Sequence, residues 1–174
     1  SWPIPLSQRT TLKALLLLGL DYAVLGALLT GTVLLASVWA KLLCGLSSFF
    51  VVGRQFVIGH DGCHQSLTPQ RSLNKWLGRI AFLPSLTAYS LWDVGHNVVH
   101  HGFTNLKGVD FVWAPLTQAE YAALSPVGKL LQRIYRSGWG PGVYYMVEIW
   151  GKKMMFPPQS QMGNTRRAIF TWDC

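Results

Sequence analysis

Residues 14–37 read ALLLLGLDYAVLGALLTGTVLLAS, 24 residues carrying one charge, Asp21. As a helix this run would be roughly 36 Å long at about 1.5 Å per residue, against a hydrocarbon core of about 30 Å. It is too long for the apolar region of a signal peptide, and no cleavage-site pattern follows it. The reading is a membrane span. Composition agrees: half the chain is hydrophobic and 13% is charged, where a soluble domain carries about a quarter charged residues. A second apolar stretch runs from Leu42 to Gly59 and is interrupted by Arg54. Arg54 lies near its end, where a long basic side chain can snorkel to the interface. Residues 38–60 are therefore expected to form a second span returning to the starting side, the alternative being a helix that half enters the bilayer.

The charge distribution orients this hairpin. Residues 65–174 hold 11 of the 15 basic and 5 of the 7 acidic residues, and Arg9 and Lys13 precede the first span. Both groups fall on one side, with only Lys41 near the turn, so the positive-inside rule makes that side cytoplasmic. The formal charge of +8 is then explained without nucleic acid. The expected organisation is a cytoplasmic N-terminal segment (1–13), transmembrane helices at 14–37 and 38–60, and a cytoplasmic or interfacial histidine-bearing region (61–174). The fold class is an all-α membrane protein.

Three widely spaced cysteines, Cys44, Cys63 and Cys174, form no CxxC pair and argue against a disulfide framework or zinc ribbon. Residues 66–90, with Pro69 and Pro84, read as a helix along the membrane surface. Lys129 to Arg136 (KLLQRIYR) reads as an amphipathic helix, either an ordinary surface helix or a lipid-binding one. Tyr144, Tyr145 and Trp150 suit an interfacial aromatic belt or internal packing. The start at Ser1 and the end at Thr171-Trp172-Asp173-Cys174 read as those of a piece of something longer.

All five histidines fall between residues 60 and 101, as His60-Asp61-Gly62-Cys63-His64 and His96-Asn97-Val98-Val99-His100-His101. On an α-helix residues four apart share a face, with β-carbons about 6 Å apart, so His60 with His64, and His96 with His100, can each reach one metal region. His101 would be rotated by roughly 100° from His100, toward a second metal. Imidazole suits Zn, Cu, Fe or Ni alike. Neither box carries the Glu of a zinc protease HExxH. Glu120 and Glu148, the only two Glu residues, have no histidine three residues on, which excludes the carboxylate-bridged di-iron pattern. An all-histidine site remains. Asp61 and Asp93 are candidates to accept the second ring N–H of a ligand histidine, with Asn97 or Asn105 doing likewise or holding a metal-bound water. Alternatively, Asp61 caps a helix end and Asn105 sits in a turn before Asp110.

The stretches GHDGCH, HNVVHHGFTN and VDFVWAPL resemble the membrane fatty acid desaturases, nearest to the bacterial and cyanobacterial acyl-lipid Δ12 (ω-6) type, over about Leu42 to Trp150. That family's first box is HxxxH or HxxxxH and its second HxxHH or HxxxHH. The resemblance implies a non-haem di-iron centre with His60, His64, His96, His100 and His101 among its ligands. It also implies an O2-dependent reaction that places a cis double bond in a membrane lipid acyl chain. Electrons would come from ferredoxin or cytochrome b5 through a separate reductase. Two departures stand out. The family's first box commonly reads His-Asp-Cys-Gly-His, and here Gly62 and Cys63 are exchanged, which keeps ligand spacing and alters local packing. The family's third box, usually HxxHH, has no counterpart, since no histidine follows His101. The chain therefore reads as an N-terminal fragment, inactive by itself. A related hydroxylase or ketolase of lipid, alkane or carotenoid is the alternative, and a catalytically inactive lipid- or partner-binding membrane module is the second.

Overall fold

The structure, a computed structural model, describes residues 8–112, 115–155 and 173. Ser1, Trp113, Ala114, Thr171, Trp172 and Cys174, which entered the sequence reading, lie outside them. The described residues are helical with no strand, and they form two compact units, Ser1–Tyr89 and Ser90–Cys174.

The first unit is built on two long helices, α1 (Thr11–Leu34) and α2 (Val38–Cys63), long and apolar enough to cross a bilayer. Against the sequence reading, α1 begins and ends three residues earlier, and α2 runs on through the first histidine box. The turn between them is three residues long, and the Ser37 hydroxyl accepts the Ala40 N–H to cap α2. The helices run antiparallel: Ala14 and Leu18 share a cluster with Ile58, Asp21 pairs with Arg54, and Gly31 lies opposite Cys44. Their outer faces are apolar, with Trp39, Phe49 and Phe50 each about 80% exposed. Such a surface is unstable in water and suits lipid. This is an integral membrane protein with a helical hairpin.

Arg54 does not simply snorkel. Its guanidinium lies 2.9 Å from the buried Asp21 carboxylate, so the two charges inside the spans neutralise each other across the hairpin.

Helix α3 (Arg71–Phe82) follows Pro69 and ends in a 3-10 turn, Leu83–Ser85, that contains Pro84. It is amphipathic, burying Asn74, Leu77, Gly78, Ala81 and Phe82 while Trp76 stays exposed. The buried Asn74 side chain accepts from Thr68 N–H (2.6 Å) and donates to Thr68 C=O (3.0 Å), closing the loop after α2. The Tyr22 hydroxyl donates to Ile80 C=O (2.6 Å), tying α1 to α3. Helix α3 meets α2 through small residues. A β-carbon on Gly62 would stand 2.8 Å from Gly78 Cα and 2.9 Å from the Asn74 carbonyl oxygen. Both obstacles are backbone, so α3 would have to move. Restoring the family's order in the first box (Gly62→Cys with Cys63→Gly) is therefore expected to cost about 1–3 kcal/mol by overpacking. Thermal unfolding in detergent measures this; an unchanged midpoint would contradict it.

In the second unit, α4 (Tyr89–Asp93) continues into a π-helical segment, Val94–His100. A loop follows, with Asn105 and Gly108 in the left-handed region (φ 63° and 85°). Short helices α5 (Gln118–Ala122), α6 (Pro126–Tyr135) and α7 (Gly140–Tyr144) come next, and α7 runs into a second π-helical segment, Tyr145–Met155. Thr117 and Glu120 form a reciprocal capping box on α5. On α6 the apolar residues divide: Leu131 and Tyr135 turn inward, while Val127, Leu130 and Ile134 stay exposed. Tyr144 is buried and packs edge-on against Tyr135 with ring centroids 5.2 Å apart, so it belongs to the interior.

The Tyr135 hydroxyl donates to Glu148 Oε1 (2.8 Å), and Lys152 also binds that carboxylate. Burial, and then the Glu148 carboxylate, push the Tyr135 phenol up to about 12. Its pKa is raised on folding, so its contribution to stability is complete below the unfolded value of about 10 and is lost as pH rises through about 12. A spectrophotometric titration should show Tyr135 among the late-ionising tyrosines, together with Tyr145, whose phenol burial also pushes up, and Tyr135→Phe should remove one of those late steps. Ionisation of all tyrosines together in the folded protein would refute this.

Candidate metal centre

The five histidines are divided between the units, His60 and His64 in the first and His96, His100 and His101 in the second. The first pair sits at the C-terminal end of α2, where the backbone keeps the α-helical register, His64 N–H donating to His60 C=O at 3.0 Å. Residues four apart then share a face, as the spacing implies. The two Nε2 atoms face each other 3.1 Å apart, with ring centroids at 4.4 Å. On its other side, His60 Nδ1 lies 3.2 Å from Asp61 Oδ1. A carboxylate only accepts, so in this contact Nδ1 is the donor, and a neutral ring then has its lone pair on Nε2.

The second box departs from the sequence reading. Residues 94–100 are π-helical, and His101 N–H donates to His96 C=O at 2.9 Å, five residues back instead of four. In that register residues five apart come onto one face. The nitrogens that meet are therefore His96 Nε2 and His101 Nε2, 3.2 Å apart. His100, expected to share the metal region of His96, has its ring 5.5 Å from that of His96, centroid to centroid. Its Nδ1 lies 2.9 Å from Asp110 Oδ2. The expected rotation of His101 by roughly 100° from His100, toward a second metal, rested on the α-helical angle, which this segment does not keep. Trp92 lies flat against His96, with ring centroids 4.9 Å apart and an interplanar angle of 15°.

The surrounding polar residues sort as follows. Asp61 meets His60. Asp93 accepts from Asn97 Nδ2 (2.6 Å) rather than from a ring. Asn105 contributes its backbone N–H to Asp110 Oδ2 (2.9 Å) from within the loop. Asp110 and Trp92 escaped the sequence reading. Asp110 is ten residues from the ring it meets, and no helical spacing links them. Burial alone would raise the Asp110 carboxyl, but hydrogen bonds from Asn105 and Val112 N–H and from His100 outweigh it and hold the group below the usual carboxylate range.

The donor chemistry fits a transition metal. Two nitrogens each about 2.1 Å from one ion and at nearly right angles to it would be about 3 Å apart, and both facing pairs match that separation. All the converging donors are imidazoles, which suit borderline metals such as iron.

Comparisons with known proteins show what the chain is similar to. The family model for fatty acid desaturase matches residues 32–172. The sn-1 oleoyl-lipid 12-desaturase of Arthrospira platensis is 34% identical over 72% of this chain and 32% of its own length. The sn-1 acyl-lipid omega-3 desaturase (ferredoxin) of a Synechocystis species is 34% identical over 44% of this chain and 21% of its own. A fatty acid desaturase of Bacillus subtilis is 38% identical over 48% and 24%. The chain thus spans a third or less of the length of these relatives. No solved structure matches. With a family model covering most of its residues, both histidine boxes inside that match and a membrane hairpin leading into them, this chain belongs to the fatty acid desaturase family.

Proposed function

We propose that the protein is an O2-dependent acyl-lipid desaturase, which introduces a cis double bond into a membrane lipid acyl chain. In this reading His60, His64, His96, His100 and His101 are ligands of a di-iron centre, completed by donors from the part of such enzymes that these residues do not cover. The observation that carries it is the pair of facing imidazoles in each box, at 3.1 and 3.2 Å. When bound, the irons supply the O2 activation and the removal of hydrogen from an unactivated chain.

The chain's own residues bind and orient. Asp61 holds the proton of His60 at Nδ1, which leaves Nε2 for a metal. Trp92 covers one face of His96 and limits both its rotation and the access of water. The hairpin anchors the first box at a bilayer surface, where lipid substrate is at hand, and the basic balance supports a cytoplasmic side for that surface. Electrons come from an external donor. Ferredoxin is favoured over cytochrome b5 because a cyanobacterial relative carries it in its name.

The test is metal analysis and product identification on the full reading frame, supplied with lipid substrate, ferredoxin and its reductase. About two irons per chain and a cis-unsaturated product are expected, with weak metal binding and no turnover from residues 1–174 alone. An oxygenated product without unsaturation would replace desaturation by hydroxylation, and a protein that takes up no iron would end the reading.

A further inference from the structure

We infer that Asp110 is a positioning residue for His100: its carboxylate holds the imidazole in the Nδ1–H tautomer and leaves the Nε2 lone pair for a metal. This deepens the proposed function and rests on its histidine–iron reading. Asp110 is 3% exposed, and a carboxylate so buried is costly unless donors surround it. Here they do. Oδ1 accepts from Val112 N–H at 3.0 Å, and Oδ2 accepts from Asn105 N–H and His100 Nδ1–H, each at 2.9 Å.

The loop is shaped to deliver these contacts. Asn105 adopts φ 63°, and its amide is one of the donors. Asp110 N–H donates to Leu106 C=O (2.9 Å), and Thr104 Oγ1 donates to His100 C=O (2.6 Å). The carboxylate therefore cannot swing away without breaking the turn. An ionised carboxylate has no hydrogen to give, so the proton between it and the ring sits on Nδ1, and a neutral imidazole then offers Nε2 as its lone pair. The Asp61 contact to His60 is longer and its side chain is 48% exposed, so Asp110 is the stronger constraint.

The test uses the full-length protein, labelled with 15N-histidine and stripped of metal, together with Asp110→Asn. At alkaline pH, wild-type His100 is expected to show Nδ1 protonated and Nε2 bare. In Asp110→Asn the population should shift toward Nε2–H, and iron affinity should fall about 10- to 100-fold, the usual cost of losing such a partner. Wild-type His100 protonated at Nε2 overturns the inference, as does wild-type iron affinity in folded Asp110→Asn. The wild-type spectrum decides even if the variant does not fold. Should the tautomer be as expected while wild-type protein takes up no iron, Asp110's hold on the ring is supported and the iron reading is the part that fails.

Discussion

Alanine at His96 or at His101 in the full-length protein is expected to remove iron and product together, and alanine at both to do no more than either alone. The reasoning comes from the backbone. In the π-helical register of residues 94–100 the facing nitrogens are His96 Nε2 and His101 Nε2, 3.2 Å apart. Two ligands of one ion act as a unit, so their losses are not additive. Loss of a hydrogen-bond partner of a ligating ring already costs about 10- to 100-fold in metal affinity, so loss of a ligand should exceed about 100-fold, with turnover below detection. His100→Ala should also abolish iron binding and product. Iron titrations of the single and double variants measure the coupling. Fully additive losses at His96 and His101 would show that the two rings serve separate ions, as an α-helical register would have it.

Arg54→Ala is expected to be the most destabilising single change in the hairpin. Asp21 is buried in α1, and its Oδ1 has the Arg54 guanidinium 2.9 Å away. Removing one member of a buried pair leaves the other charge uncompensated and costs about 3–5 kcal/mol. Arg54 is itself 58% exposed, which puts the expected loss at the lower end, about 3 kcal/mol. The double variant Asp21→Leu with Arg54→Leu should recover most of it, because apolar replacement of a whole pair is close to neutral. Folded yield and thermal midpoint in detergent report both. An Arg54→Ala protein as stable as wild type would mean the pair contributes nothing to the hairpin.

The sequence made the spans legible because a run of 24 residues with one charge has few other homes. It made the histidines legible because five of them fall within 42 residues and nowhere else. The Asp21–Arg54 pair was hidden: each charge can be read alone, but their meeting depends on how far one helix slides along the other. The π-helical register was hidden too, since nothing in the composition of Val94 to His100 selects a pitch. Asp110 was out of reach for a third reason. It arrives at His100 through a loop whose course depends on left-handed turns at Asn105 and Gly108, and periodicity says nothing about such turns. Trp92 stands four residues before His96, and the same helical spacing used for the histidines was the signal that could have found it.

The second box here has three residues between its first histidine and the final pair, HxxxHH, while other members of the family have two, HxxHH. The winding of residues 94–101 gives that length difference a physical meaning. With the longer spelling, an i+5 ladder brings the outermost histidines onto one side; with the shorter, an ordinary i+4 ladder would do the same. One inserted residue is thus absorbed as a local bulge in the ladder, and the two spellings become interchangeable solutions to one problem. Excising Val98 or Val99 from this chain should accordingly regularise the helix and keep its first and last imidazoles together.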